Sequence, residues 1–295
     1  DRIERIVVTG DEKIVLERRD GRFWMTSPLA DLAEREAVDE LLRQLEQLQV
    51  ASFVDGPISA GAGSGHGADS MPADSGEPTG LAAPQRVLRI FERGVGDPFE
   101  LAIGDLIAAD AADDTDDTDG GAEGELGERR YARVGGQTIE IESQLFATLE
   151  RPSSDWLSRA WSGLRVFQID RLRIEGEGPP LELSRSGSDW LRDGDRIEAV
   201  PVSDLLYAIT GARALQVVGG DGAGALVEGL EPTLSIDLSS DDVGAETLSL
   251  YPGDESGHPA QTTVRESVLL LPPEAVRELL ERLRAVLTLD PLPSE

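Results

Sequence analysis

Cysteine is absent from this 295-residue chain. That excludes disulfides, a thiol nucleophile and any cysteine-bound metal, and it leaves the redox compartment open. Lysine occurs once, as Lys13, so 26 of the 27 basic residues are arginine. A phosphate-binding loop needs Gly-Lys followed by Ser or Thr. Lys13 sits in Glu12-Lys13-Ile14, so a P-loop ATPase role fails. Histidine occurs twice. His66 lies in a Gly-rich run and His258 in Gly257-His258-Pro259, and both read as solvated loop residues. A Ser-His-Asp triad or a histidine zinc site would have to use one of them. No apolar run of about 18 residues occurs, so no segment reads as a bilayer-spanning helix.

What is abundant is acid. There are 57 Asp and Glu, and the net charge is −30, which argues against nucleic acid and against direct binding to an anionic membrane surface. The arginine-for-lysine skew fits a GC-rich genome, and the acid excess fits a salty habitat. Hydrophobic residues make up 39%, enough for a globular chain with one large core or two ordinary ones.

Two stretches lack apolar periodicity and read as flexible insertions. They are Gly56 to Pro78 and Ala108 to Gly127. The first includes Gly61-Ala62-Gly63-Ser64-Gly65-His66-Gly67, which evokes a dinucleotide fingerprint but lies between no strand and helix. The second carries Asp113-Asp114-Thr115-Asp116-Asp117-Thr118-Asp119. Aligned as a calcium loop, it puts Thr115 and Leu126 at the first and twelfth positions, where carboxylates belong. A self-repelling solvated loop is the expectation.

Around these insertions runs an internal repeat. Strands at Ile3 to Val8 and Lys13 to Arg18 precede Gly21-Arg22-Phe23-Trp24. Asp31 with Glu34 reads as a capping box for a helix with Val38, Leu41, Leu42, Leu45 and Leu48 on one face. A strand at Val50 to Val54 follows. The second half repeats this order: Ile169 to Ile174, Leu181 to Arg185, and Gly187-Ser188-Asp189-Trp190. A helix with Pro201 in its first turn and Val202, Leu205, Leu206 and Ile209 on one face comes next, then a strand at Ala212 to Val218.

The correspondence continues. Gly80-Leu81, Pro84 and the strand Val87 to Phe91 match Gly229-Leu230, Pro232 and the strand Leu234 to Leu238. Leu101 to Gly104 matches Leu248 to Gly253. Strands Arg130 to Val134 and Thr138 to Glu142 with a helix at Gln144 to Leu149 match strands Gln261 to Glu266 and Val268 to Leu271 with a helix at Pro273 to Val286. The fold class expected is α+β, as two tandem related modules of mainly antiparallel sheet with helices on one face. The modules span 1–150 (with insertions 56–78 and 108–127) and 166–295, joined by a helical linker at 151–165. Trp24 and Trp190 are expected in equivalent places, packed where strand hands over to helix.

Several of these residues carry a resemblance. Asp20-Gly21-Arg22-Phe23-Trp24, Pro28 with Asp31, Leu45-Glu46-Gln47-Leu48, Gly80-Leu81 with Pro84, Leu101-Ala102-Ile103-Gly104 and Tyr131-Ala132-Arg133 occur in the order characteristic of one bacterial family. The chain resembles domain of unknown function 4340, from which it departs by Phe23 before the tryptophan and by the two long insertions. The resemblance implies an envelope protein on the periplasmic or extracytoplasmic face, held by an N-terminal anchor ahead of Asp1. It also implies association with ABC-transporter or gliding-motility-type components. It brings no catalytic residue.

The function expected is therefore a non-enzymatic accessory or scaffold subunit of a membrane-associated assembly, with membrane-complex subunits such as transporter permeases as partners. No catalytic, cofactor-binding or metal-binding residue is assigned, and no cofactor is expected. A rigid peripheral subunit of another large membrane complex is the second expectation. A carbohydrate-active hydrolase using paired carboxylates is the third, although 57 acidic residues make pairs inevitable and so uninformative.

Overall fold

A computed structural model describes residues 2–54, 79–107, 128–176 and 178–292. The expectations for the Gly-rich run with His66 and for the acidic run fall outside these residues.

The first half contains strands β1 (Ile3–Thr9), β2 (Lys13–Arg19), β3 (Arg22–Ser27) and β4 (Asp31–Leu32), then helix α1 (Arg35–Glu46). Strands β5 (Val50–Phe53), β6 (Arg86–Glu92), β7 (Phe99–Leu106), β8 (Arg129–Val134) and β9 (Gln137–Glu142) follow, then α2 (Gln144–Leu149). The second half has β10 (Arg171–Glu175), β11 (Leu181–Ser186), β12 (Asp189–Arg192) and β13 (Asp195–Ile197), then α3 (Ala199–Gly211) and β14 (Gln216–Val218). It continues with α4 (Asp221–Val227), β15 (Leu234–Ser240), β16 (Gly244–Leu250), β17 (His258–Thr262), β18 (Val268–Leu271) and α5 (Pro273–Leu287).

The fold is α+β, with two antiparallel nine-stranded sheets. Strand order is β4-β3-β2-β1-β6-β7-β8-β9-β5 in one and β13-β12-β11-β10-β15-β16-β17-β18-β14 in the other. Aligned end to end, the two orders are the same, and α1 and α2 correspond to α3 and α5. Only α4 lacks a counterpart among the described elements. The chain forms two compact units, Asp1–Pro28 with Ala33–Trp156, and Leu29–Leu32 with Leu157–Glu295.

In the second unit, period-two burial builds the core. Every other residue of β10 and β15 is buried, so each strand gives one face to the core. Val202, Leu205, Leu206 and Ile209 of α3 and Val276, Leu279, Leu283 and Val286 of α5 close over it. The linker residues are not a free helix. Ser153–Trp156 is a single 3-10 turn, and Trp156 and Trp161 are fully buried.

Local turn chemistry fixes register. Asp20 and Gly21 have φ of 49° and 79°, the doubly left-handed pair of a type I′ two-residue hairpin. Gly187 alone is left-handed in the matching turn, at φ 62°. This corrects the equivalence of the tryptophans. Counted from the turns, Arg18 faces Phe23 in one hairpin and Arg185 faces Trp190 in the other. Phe23 is thus the counterpart of Trp190, while Trp24 faces Glu17 and lies on the opposite face of its strand. Trp190 belongs to the second core; Trp24 is half-buried.

Four further expectations are corrected. Asp31 caps no helix: α1 starts after Glu34 without a side-chain cap, and the Asp31 carboxylate is buried elsewhere. The strand expected over Gln261 to Glu266 is instead β17, ending at Thr262. There the chain turns, with Arg265 N–H donating to the Thr262 carbonyl at 3.3 Å. The strand expected over Ala212 to Val218 shrinks to three residues, because Ala212 and Ala214 instead bond to Trp161 and Arg159. His258 is no loop residue but opens β17, opposite Leu271. The hairpin β12–β13 and helix α4 were not foreseen.

Candidate functional site

An open groove of about 460 Å³ lies wholly within the second unit. One wall starts in the loop Ser162-Gly163-Leu164. That loop is held by Glu246 on β16, a buried carboxylate. Its oxygens accept N–H bonds from Gly163 at 3.0 Å and Leu164 at 3.4 Å, and the Ser162 hydroxyl donates to it as well. A buried carboxylate is tolerated only when its lone pairs are matched in this way. The chain then enters the short 3-10 turn Val166–Gln168, where Arg165 N–H donates to Gln168 Oε1 at 2.9 Å. This places Arg165 and Phe167 at the rim.

The opposite wall is α3, which presents Ser203, Leu206, Tyr207 and Thr210. The β11–β12 hairpin supplies Arg185, Ser188 and Trp190. Trp190 is the buried side chain where core and groove meet. Phe167 is 67% exposed and Tyr207 65%, so a large aromatic group stands at the surface on each side.

Charge in the groove has one sign. Arg165 and Arg185 line it and, among the described residues, no carboxylate does. Arg185 donates from Nε to the Gly187 carbonyl at 3.2 Å, which leaves its outer nitrogens for a ligand. Among the described residues its lining holds no histidine or carboxylate, and it offers apolar surface, two guanidinium forks and a few hydroxyls.

Carboxylates converge elsewhere without a free partner. In a smaller groove beside α3 and α5, Arg282 contacts both Asp204 at 3.4 Å and Glu278 at 3.8 Å. Asp254 accepts from the Ser256 hydroxyl at 2.5 Å and its N–H at 2.8 Å. The first of these bonds is the main reason its pKa lies below the usual carboxylate range. His258 adds a weaker attraction. Among the described residues no cluster of three His, Cys, Asp or Glu could hold a metal ion, and no helix is long and apolar enough to cross a membrane.

Asp31 and Arg265 form a buried ion pair in the second unit. Arg265 Nη2 binds Asp31, and its Nε donates to Ser267 Oγ at 2.9 Å. Its Nη1 donates to the Ser158 carbonyl at 2.9 Å and the Ala160 carbonyl at 3.3 Å. Ser267 Oγ donates to Asp31 at 2.5 Å, and Leu32 N–H to its other oxygen at 2.6 Å. Every group is satisfied and sealed from water, which makes this a structural clamp.

From the sequence Trp190 reads as a packed residue in preference to a binding platform, and no other groove residue is singled out for binding. The signal available was the composition of α3, whose thirteen residues include one charge, Asp204. Comparisons with family models, curated proteins and solved structures returned no match.

Proposed function

We propose that this chain is a non-enzymatic accessory or scaffold subunit of a membrane-associated assembly, acting on the extracytoplasmic side and linked to an ABC transporter. The observation that carries the reading is the groove of the second unit. It displays exposed aromatic side chains and two arginines, with no carboxylate or histidine among the described residues of its walls, the makeup of a contact surface. The resemblance to domain of unknown function 4340 supports the location and the neighbourhood.

The test is purification of the full-length protein, tagged and cross-linked in its native cells, from the membrane fraction. Expected is co-purification in fixed stoichiometry with an integral-membrane permease. Recovery as a lone protein, or turnover of a glycoside substrate abolished by acidic-residue substitutions, would overturn it.

A further inference from the structure

Two helices of the second unit differ in what they present outward. Helix α5 turns Val276, Leu279, Leu283 and Val286 inward and carries six charged residues, among them Glu274, Arg277 and Glu281. That is the division expected of a helix facing water. Helix α3 buries its Val202, Leu205, Leu206 and Ile209, yet its outer surface carries Val200 and Tyr207, both about two-thirds exposed. Phe167 stands across the groove from Tyr207 and is exposed to the same degree. An apolar patch walled by polar groups is the mark of an interaction site.

Charge selects the occupant. In a chain with 57 acidic and 27 basic residues, a groove lined by two arginines and no acid departs from the average. Guanidinium forks pair bidentately with carboxylates. A second copy of the chain is disfavoured because each copy carries −30, and anionic lipid is repelled for the same reason. A small amphiphile would stay largely exposed in so open a groove, whereas ligand sites bury most of the ligand. A peptide laid along α3 needs no enclosure.

We propose that the groove between Phe167 and Tyr207 docks a peptide segment of a partner protein, a segment with large apolar anchors flanked by Asp or Glu. The anchors sit on Phe167 and Tyr207, and the carboxylates bind Arg165 and Arg185. This rests on the accessory-subunit reading and names the surface it uses.

The experiment pans a displayed library of random dodecapeptides on the purified intact chain, with counter-selection on the Phe167→Ser/Tyr207→Ser double variant. Enriched peptides are then measured by fluorescence anisotropy. Expected are peptides pairing two large apolar residues with at least one acid. Their affinity should fall at least tenfold with Tyr207→Ser and with Arg185→Glu, and should weaken with salt. All these side chains are exposed, so matched melting curves will show the variants folded, and Phe167→Ser gives an independent loss. No enrichment, enrichment of basic peptides, or equal binding to the double variant would overturn the proposal. So would a dimer in sedimentation that Tyr207→Ser disperses, or pelleting with phosphatidylcholine vesicles through the same residues. Panning uses purified protein, so its failure is separable from failure to find a membrane complex.

Discussion

Burying Arg265 against Asp31 takes two charges out of water, a cost that only complete hydrogen bonding offsets. The clamp meets that condition through Ser267, the Ser158 and Ala160 carbonyls and Leu32 N–H. Arg265→Met leaves the Asp31 carboxylate buried without its cation. We expect a loss of about 3–5 kcal/mol in urea denaturation, and a much smaller loss for Asp31→Leu with Arg265→Met, since an apolar pair strands no charge. At the surface the same logic is read as a pKa. Asp254 is held below the usual carboxylate range first by the Ser256 hydroxyl. A carboxylate with a depressed folded pKa contributes stability above its unfolded pKa and loses it as pH falls through the folded one. Ser256→Ala is expected to raise the Asp254 midpoint in a carboxyl ¹³C NMR titration. An unchanged midpoint would refute the assignment.

Strands and helices follow from periodicity wherever the pattern is local. Alternation in Leu234 to Leu238 and the helical stripe from Val276 to Val286 place β15 and α5 within a residue or two. The α+β repeat was legible for that reason, down to the shared order of elements. What escaped depends on residues far apart in the chain. Asp31 with Glu34 has the spacing of a capping box, but the partner that claims Asp31 is 234 residues away. The tryptophans mark similar turns, but the strand register puts Phe23 in the place that Trp190 fills. The groove was partly visible in the apolar composition of α3, yet it exists only because residues 164–167 and the β11–β12 hairpin converge on that helix. Register makes a prediction for the hairpins. Trp190→Ala hollows out the second core and is expected to cost about 3–5 kcal/mol. Trp24→Ala, on the opposite strand face and half-buried, should cost at least about 1 kcal/mol less. Denaturant midpoints of the two variants check this, and equal losses would restore the sequence-based equivalence.

At the scale of the whole chain, the second unit is discontinuous. Leu29–Leu32 is separated from the rest of that unit by residues 33–156, yet it is tied in at three points. Leu29 lies where any side chain on Gly219 would have to go, its Cδ1 only 2.1 Å from the position of an added Cβ. The Leu32 carbonyl accepts Ser158 N–H at 2.8 Å, and Asp31 closes the Arg265 clamp. A fragment beginning at Leu157 would keep every strand of the second sheet and lose this segment. Arg265 would then face water in place of Asp31, and an arginine reached by water costs little to keep or to remove. Arg265→Met is therefore expected to cost about 3–5 kcal/mol in the full chain but under about 1 kcal/mol in residues 157–295, a coupling that a double-mutant-type cycle isolates. Urea titrations of the four proteins supply the cycle. Equal losses in both backgrounds would mean that Arg265 is stabilised within 157–295 alone, and the discontinuous unit would have to be abandoned.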